Sequence, residues 1–442
     1  MAASVGAGAP RSGYGRGARV LAVGIATTGV VTLAYFVLAA QVLGGDSVEY
    51  KRIALVWSIM FTVASVIYRP IEQLLSRTIA DRRARGQGSG GGHLRIALGI
   101  QGAFAATFLT LALVLRDVLQ NDLFDGSSAL YWVLVTGVLA YAASYFARGF
   151  LAGHQRFELY GALVFFEAVA RVCFPVAVVL GAASGETAVA LGMAAGPFAS
   201  LLVVPWFFLR RTRDPPPDVV AVKETEGGLT LRRGAGFAAA VFAVMVAEQA
   251  LLNASVLTVE GTSPDPELAG VVFSVLLIAR APLQLFQAVQ GSLLPHLAGL
   301  EATAGRDEFR RAIRMTVLAI AVFGLAVTVG LFAVGPPVVE TMFSIDRDLA
   351  RGGLALVGLG MGCHLMAGTL NQAALAREQA GAAATAWLLS AALFVAFMLA
   401  PLVDDQLLRA EAGYFGATAL LCALLAVVYR RGAVSVRFPA RR

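Results

Sequence analysis

The chain has 442 residues, 58% hydrophobic and 14% charged, with a mean hydropathy of +0.74 and a formal net charge of +7. An average soluble domain carries about 25% charged residues, so this composition excludes a soluble globular domain, a disordered chain and a nucleic-acid-binding domain. The positive charge therefore calls for an explanation other than a polyanionic partner.

A helix needs about 20 apolar residues to cross about 30 Å of hydrocarbon. Taken along the chain, that measure predicts about twelve spans, near 20–43, 53–75, 96–115, 129–147, 161–182, 187–209, 235–259, 269–292, 315–334, 353–375, 382–402 and 413–429. The first run is longer than the apolar core of a secretory signal and reads as a retained span. The segments are continuously apolar, whereas barrel strands alternate in polarity, so a β-barrel is excluded. A loop at 210–234 carries Pro215, Pro216 and Pro217 and divides the chain near its middle. The expected architecture is all-α: an N-terminal six-helix lobe (1–209), a cytoplasmic linker (210–234) and a C-terminal six-helix lobe (235–442) around a central cavity.

Basic residues sit on one side of these spans. Arg11, Arg16 and Arg19 precede the first. Arg77, Arg82, Arg83, Arg85 and Arg95 follow the second. Arg210, Arg211, Arg213, Lys223, Arg232 and Arg233 fill the middle loop, and Arg430, Arg431, Arg437, Arg441 and Arg442 end the chain. The positive-inside rule then places both termini in the cytoplasm of a multi-pass plasma-membrane protein. Cys173, Cys363 and Cys422 lie in apolar stretches without a paired motif, and His93, His154, His296 and His364 lack metal-ligand spacing. No nucleophile elbow, zinc-protease or phosphate-loop pattern is present, so neither an enzyme nor a cofactor is expected.

The halves echo each other. The second span ends in Tyr68-Arg69-Pro70-Ile71-Glu72-Gln73-Leu74, and the eighth contains Ala279-Arg280-Ala281-Pro282-Leu283-Gln284-Leu285. The fourth ends in Leu151-Ala152-Gly153-His154-Gln155 and the tenth in Leu375-Ala376-Arg377-Glu378-Gln379. Internal repeats of this kind are the usual build of transporters.

Six charges fall at membrane depth: Arg69, Arg171, Arg280, Glu72, Glu167 and Glu248. Each costs about 2.5–3.5 kcal/mol at the bilayer centre, so each should face protein or water. Glu167 and Arg171, four apart on one helix face, fit a local ion pair as well as a functional site. Arg69 and Arg280 favour function, because they recur across the halves and each has a proline just after it. Several spans carry one polar face: Arg280, Gln284, Gln287 and Gly291; His364, Gly368 and Asn371; Thr28, Thr32 and Tyr35; Glu248, Gln249 and Asn253. These faces fit a water-filled cavity, with polar contacts between packed helices as the competing reading. His364 alone reads as a packed or cavity-lining side chain rather than a proton relay. Arginine forks suit phosphate, and Gln, Asn, Thr and Tyr suit sugar hydroxyls.

The stretch from Tyr68 to Arg77, running into Ala80-Asp81-Arg82-Arg83-Ala84-Arg85-Gly86, resembles actinobacterial polysaccharide-export flippases of the multidrug/oligosaccharidyl-lipid/polysaccharide (MOP) superfamily. So do Arg148-Gly149-Phe150-Leu151-Ala152-Gly153, Tyr160-Gly161 and the segment from Glu167 to Arg171. The resemblance covers the first six spans. In the second half it rests on topology and on the Arg280–Gln290 stretch. It implies two six-helix lobes working by alternating access. The implied substrate is a polyprenyl-pyrophosphate-linked oligosaccharide moved from the inner to the outer leaflet, with cationic cavity residues holding the pyrophosphate. By position those are Arg69 and Arg280, then Arg148 and Arg171, with Gln284, Gln287 and Asn371 beside them. The first span lacks the acidic residue usual in the drug-antiporter branch. The two extra spans of the lipid II flippase branch are also missing, which favours a surface or capsular polysaccharide precursor. The implied partners are the lipid-linked glycan, the bilayer and a glycan polymerase or glycosyltransferase complex, with no nucleic acid.

Two transporter alternatives stand beside this. One is an ion-coupled small-molecule exporter of the same superfamily, with Glu72, Glu167, Glu248 and His364 as titrating groups and H⁺ or Na⁺ as the coupling ion. The other is a major-facilitator-type transporter, whose loop signature Ala80–Arg85 partly matches, with Arg77 and Ala84 where that signature has glycines. A non-transporting scaffold for a glycan-assembly complex is the third.

Overall fold

A computed structural model describes residues 12–84, 92–209, 231–278, 282–283, 306–377 and 379–432. The helices in chain order are α1 (Ser12–Leu43), α2 (Val48–Ala84), α3 (Gly92–Val114), α4 (Ser128–Gly153), α5 (Phe157–Val179), α6 (Gly185–Ser200) and the short α7 (Val204–Leu209). The second half holds α8 (Leu231–Thr262), α9 (Leu268–Ile278), α10 (Arg306–Phe343), α11 (Arg351–Ala376), α12 (Ala380–Leu399) and α13 (Gln406–Gly432). No strand occurs among the described residues. Eleven of the spanning segments are long and apolar enough to cross a bilayer, and α6 reaches that length by running on through α7. The twelfth expected span, 269–292, is described only as α9, and Arg280, Gln284 and Gln287 lie outside the described residues.

Several helices overrun their expected ends. α2 continues through Pro70, and α10 continues through Pro336 and Pro337. In lipid a proline costs one ladder bond without offering water as an alternative partner, so the helix persists. α13 begins at Gln406 rather than near 413 because its early charges are absorbed by the fold. Arg409 donates to the carbonyls of Val403 (2.8 Å) and Met398 (3.3 Å), closing the end of α12. The turn into α4 is set by Asp125 and Gly126, both at positive φ (47° and 82°), and by Ser127, whose Oγ accepts from the Leu130 N–H at 3.3 Å.

Lipid gives helices no hydrophobic drive to associate, so small residues that let backbones approach set the packing. Gly149 of α4 lies on the Glu72 backbone of α2, where a Cβ would sit 2.8 Å from the Glu72 carbonyl oxygen. One turn on, Gly153 meets Ile79. The halves repeat a packing plan. α1 packs on α5, α4 on α6 and α5 on α6. In the second half α8 packs on α12, α11 on α13 and α12 on α13.

The halves are joined by hydrogen bonds gathered at one end, where the α1–α2, α8–α9 and α10–α11 turns meet. Lys51 Nζ donates to Glu260 Oε1 (2.9 Å), Ser274 Oγ to the Tyr50 hydroxyl (3.0 Å) and Gln41 Nε2 to the carbonyls of Thr341 (2.7 Å) and Met342 (3.0 Å). The Asp346 N–H donates to Asp46 Oδ2 (3.0 Å), and Phe36 packs on Phe273 with ring centroids 4.8 Å apart.

Candidate functional site: charges at the boundary of the two halves

Arg69 lies toward the far end of α2 from this junction and is half-buried. Of the ionisable side chains around it, the carboxylates within its electrostatic reach are Glu248 of α8 and Glu72 of its own helix, with the hydroxyls of Tyr145 and Tyr160 also near. The fold therefore brings an arginine of the first half and a carboxylate of the second into each other's field. Glu72, one turn beyond Arg69, accepts from the Tyr160 hydroxyl at 2.7 Å and is also acted on by Arg148.

Deeper in the first half the charges close on themselves. Glu167 Oε1 accepts from the Tyr141 hydroxyl (2.9 Å) and from Arg171 Nη2 (3.0 Å). Its Oε2 accepts from Ser144 Oγ (3.3 Å) and from Arg148 Nη2. Both oxygens are thus engaged by charged or hydroxyl donors. Arg171 is 2% exposed. It also donates to Thr32 Oγ1 (3.3 Å) and to the Tyr141 hydroxyl (2.8 Å), and its guanidinium lies 4.8 Å from the Trp57 ring and 5.5 Å from that of Phe61. This cluster ties α1, α2, α4 and α5 together. Arg148 keeps a foot in both groups, since it pairs with Glu167 and stacks on Tyr145 at 4.6 Å.

The expected polar faces meet different fates. Thr28 bonds its own helix at Gly24 (2.8 Å), Thr32 serves Arg171, and the Tyr35 hydroxyl donates to the Val189 carbonyl at 3.0 Å. That face of α1 is used inside the first half. His364 Nδ1 lies 3.2 Å from the Tyr414 hydroxyl, and the Asn371 side chain accepts from Trp387 Nε1 at 3.2 Å. Both are buried between α11, α12 and α13. On α8, Gln249 and Asn253 are buried and bonded to each other (3.2 Å), while Glu248 is half-buried and lies in the field of Arg69. The candidate set thus divides into a boundary group (Arg69, Glu72, Glu248, with Arg148 behind) and buried groups within each half.

Sequence reasoning missed several residues. Lys51 and Glu260 look like ordinary charges at span ends, yet Lys51 is 4% exposed and also lies 3.9 Å from Asp125. Tyr145 carries no motif, and only its stacking on Arg148 reveals it; Tyr160 is part of the Tyr160-Gly161 pair read from the sequence, but its bond to Glu72 is not. Outside the spans, Arg347 bonds Asp265 (3.2 Å) and Glu267 (3.1 Å) and so clamps the α8–α9 turn to the α10–α11 turn. The Arg347 hydrogen bond holds the Asp265 carboxyl below its usual range, and partial burial opposes this.

No protein-family model matches the chain, and no curated protein matches it. Solved structures do. An aspartate-to-asparagine mutant of the MATE transporter VcmN from Vibrio cholerae aligns with a TM-score of 0.67 and 14% identity, covering 96% of this chain and 98% of that one. The eukaryotic MATE transporter AtDTX14 aligns with a TM-score of 0.63 and 13% identity, over 96% and 98% of the two chains. A MOP-superfamily transporter from Pyrococcus furiosus, described as having a binding pocket of reverse polarity, gives 0.63 and 14%, over 96% of each. The fold is therefore the MATE type, and the major-facilitator arrangement is set aside.

Proposed function

We propose that this chain is an alternating-access flippase that moves a polyprenyl-pyrophosphate-linked oligosaccharide, a surface polysaccharide precursor, from the inner to the outer leaflet of the plasma membrane. The observation that carries the reading is Arg69, half-buried at membrane depth and within the electrostatic reach of Glu248 across the boundary of the halves. A fixed cation at the boundary of two bodies that move apart is a holding point for a diphosphate, whose charge would outweigh the field of Glu248 at the guanidinium. The halves 1–209 and 235–442 are the moving bodies, 210–234 is the cytoplasmic linker, and a glycan polymerase or glycosyltransferase complex takes the product. Arg280, with Gln284, Gln287 and Asn371, is retained as a sequence-based candidate for the second half. Arg148 and Arg171 support the site from behind, because both are engaged by Glu167.

The test is export of the glycan by Arg69→Ala in cells, with membrane insertion checked separately. Loss of export with normal insertion supports the reading, and normal export overturns it.

A second reading, an ion-coupled exporter of small molecules, fits the fold no worse. It is favoured by the same pair seen from the other side: Glu72 and Glu248 are carboxylates at the boundary that suit a cationic solute. Glu248→Gln should abolish dye efflux from vesicles under this reading and leave glycan export standing.

A further inference from the structure

The second half holds a carboxylate that the proposed path does not use. Glu411 lies in the second turn of α13, close to the junction end, and is 3% exposed. Its carboxylate fills the notch that Gly353 leaves on α11, where any Cβ would collide with it. The charge that acts on it is Asp405, of the same sign, on the turn leading into α13. The other ionisable groups nearby are occupied or face away. Arg409 of the same helix is committed to the Val403 and Met398 carbonyls, Glu260 of α8 is held by Lys51, and Arg351 at the start of α11 and Asp404 are exposed. One turn deeper, Tyr414 packs into the notch of Gly360 and meets His364 Nδ1 at 3.2 Å. The His364 ring lies 5.6 Å from Trp387.

A carboxylate taken out of water without a cation is stabilised by taking up a proton. A metal cation in its place needs several oxygen ligands, and among the described residues Glu411 has no such company. A protonated Glu411 can lie against the Gly353 backbone, whereas an ionised one is stable only with water at hand, which means with α11 and α13 parted at this end. Asp405, exposed on the turn leading into α13, lies within electrostatic reach of it. We propose that Glu411 is a proton-exchange site of the second half, protonated while α11 and α13 are closed around it and releasing its proton to the junction-side medium when they part. The role of this exchange in transport rests on the alternating-access reading above; the site itself is testable without a transported substrate.

The experiment uses the full chain in lipid nanodiscs, with its three cysteines replaced and spin labels attached at the exposed positions Gly352→Cys on α11 and Leu408→Cys on α13. The distance distribution between labels is followed with pH, and carboxyl protonation is read by infrared difference spectroscopy. The expected result is a pH-dependent distance in the parent, with a protonated-carboxyl band that titrates alongside it. In Glu411→Gln the band should be missing and the distance fixed at the acid-form value. Glu411→Asp should titrate at a shifted midpoint, which separates loss of the proton site from misfolding. A Glu411→Gln protein that keeps the band and the pH response overturns the proposal, as does a parent with no pH response. Loss of glycan export in Arg69→Ala leaves this result untouched, so the two readings fail separately.

Discussion

Lys51 Nζ donates to Glu260 Oε1 at 2.9 Å across the boundary of the two halves, with side chains 5% and 15% exposed. In so enclosed a place the pair outweighs a surface ion pair, because removing one partner strands the other charge away from water. Lys51→Met should weaken the junction by about 3–5 kcal/mol. The expected reading is a broadened, longer distance between labels at Asn121 and Gly261. The double swap Lys51→Glu with Glu260→Lys should recover much of the parent distance. An unchanged distribution in Lys51→Met would mean the junction is held by the Tyr50–Ser274 and Gln41 bonds instead.

Glu167→Gln should strand Arg171 without a carboxylate and leave Arg148 only the more distant field of Glu72. Breaking such a network costs about 3–5 kcal/mol, so a clear fall in Tm is expected in detergent. Arg171→Met should fall less, since Arg148 still pairs with Glu167. Equal losses would show that the two arginines do not share one carboxylate.

Arg69 and Glu248 act on one another, so their variants should not be additive. In a double-mutant cycle on glycan export, the partly active Arg69→Lys and Glu248→Gln should couple by about 0.5–3 kcal/mol. Independent effects on the export rate would place the two side chains in separate tasks.

The Asp265 carboxyl is held below its usual range in the folded protein by Arg347. A depressed carboxyl stabilises the folded state above its unfolded pKa, about 3.9, and loses that contribution as pH falls through the lower folded value. The clamp between the α8–α9 and α10–α11 turns should therefore be intact at neutral pH and slacken only in strong acid. Hydrogen-exchange protection of residues 263–268, taken relative to the intrinsic rate at each pH, should be the same in neutral and mildly acid medium. Asp265→Asn should exchange faster at both.

Gly149→Val places a branched side chain against the Glu72 carbonyl, where even a Cβ lies 2.8 Å away. The α2–α4 contact should open, and expression of folded protein should drop sharply. Gly99→Val, at a glycine with open space around it, should be tolerated.

Eleven of the twelve expected spans, and the helical class, were legible because hydropathy over about 20 residues is set by the bilayer itself. The destination of each polar face was not. Thr32, Tyr35, His364 and Asn371 have the spacing of a cavity lining, yet each bonds a neighbour within its own half. Periodicity says that residues share a face and is silent on what lies opposite. Glu411 was hidden for a related reason: it follows Asp404 and Asp405, so it reads as part of a charged loop until Arg409 is seen closing α12. Arg69 stood out early because a charge followed by proline inside an apolar run has few structural uses.

Arg171 has a further consequence. Its guanidinium is covalently part of the chain, buried, and already satisfies the one carboxylate in its surroundings. Glu167 thus has its cations built into the chain, and its oxygens need no free cation from the medium. The thermal stability of this half should be the same in sodium, potassium or choline media, and any ion the protein responds to must act elsewhere on it.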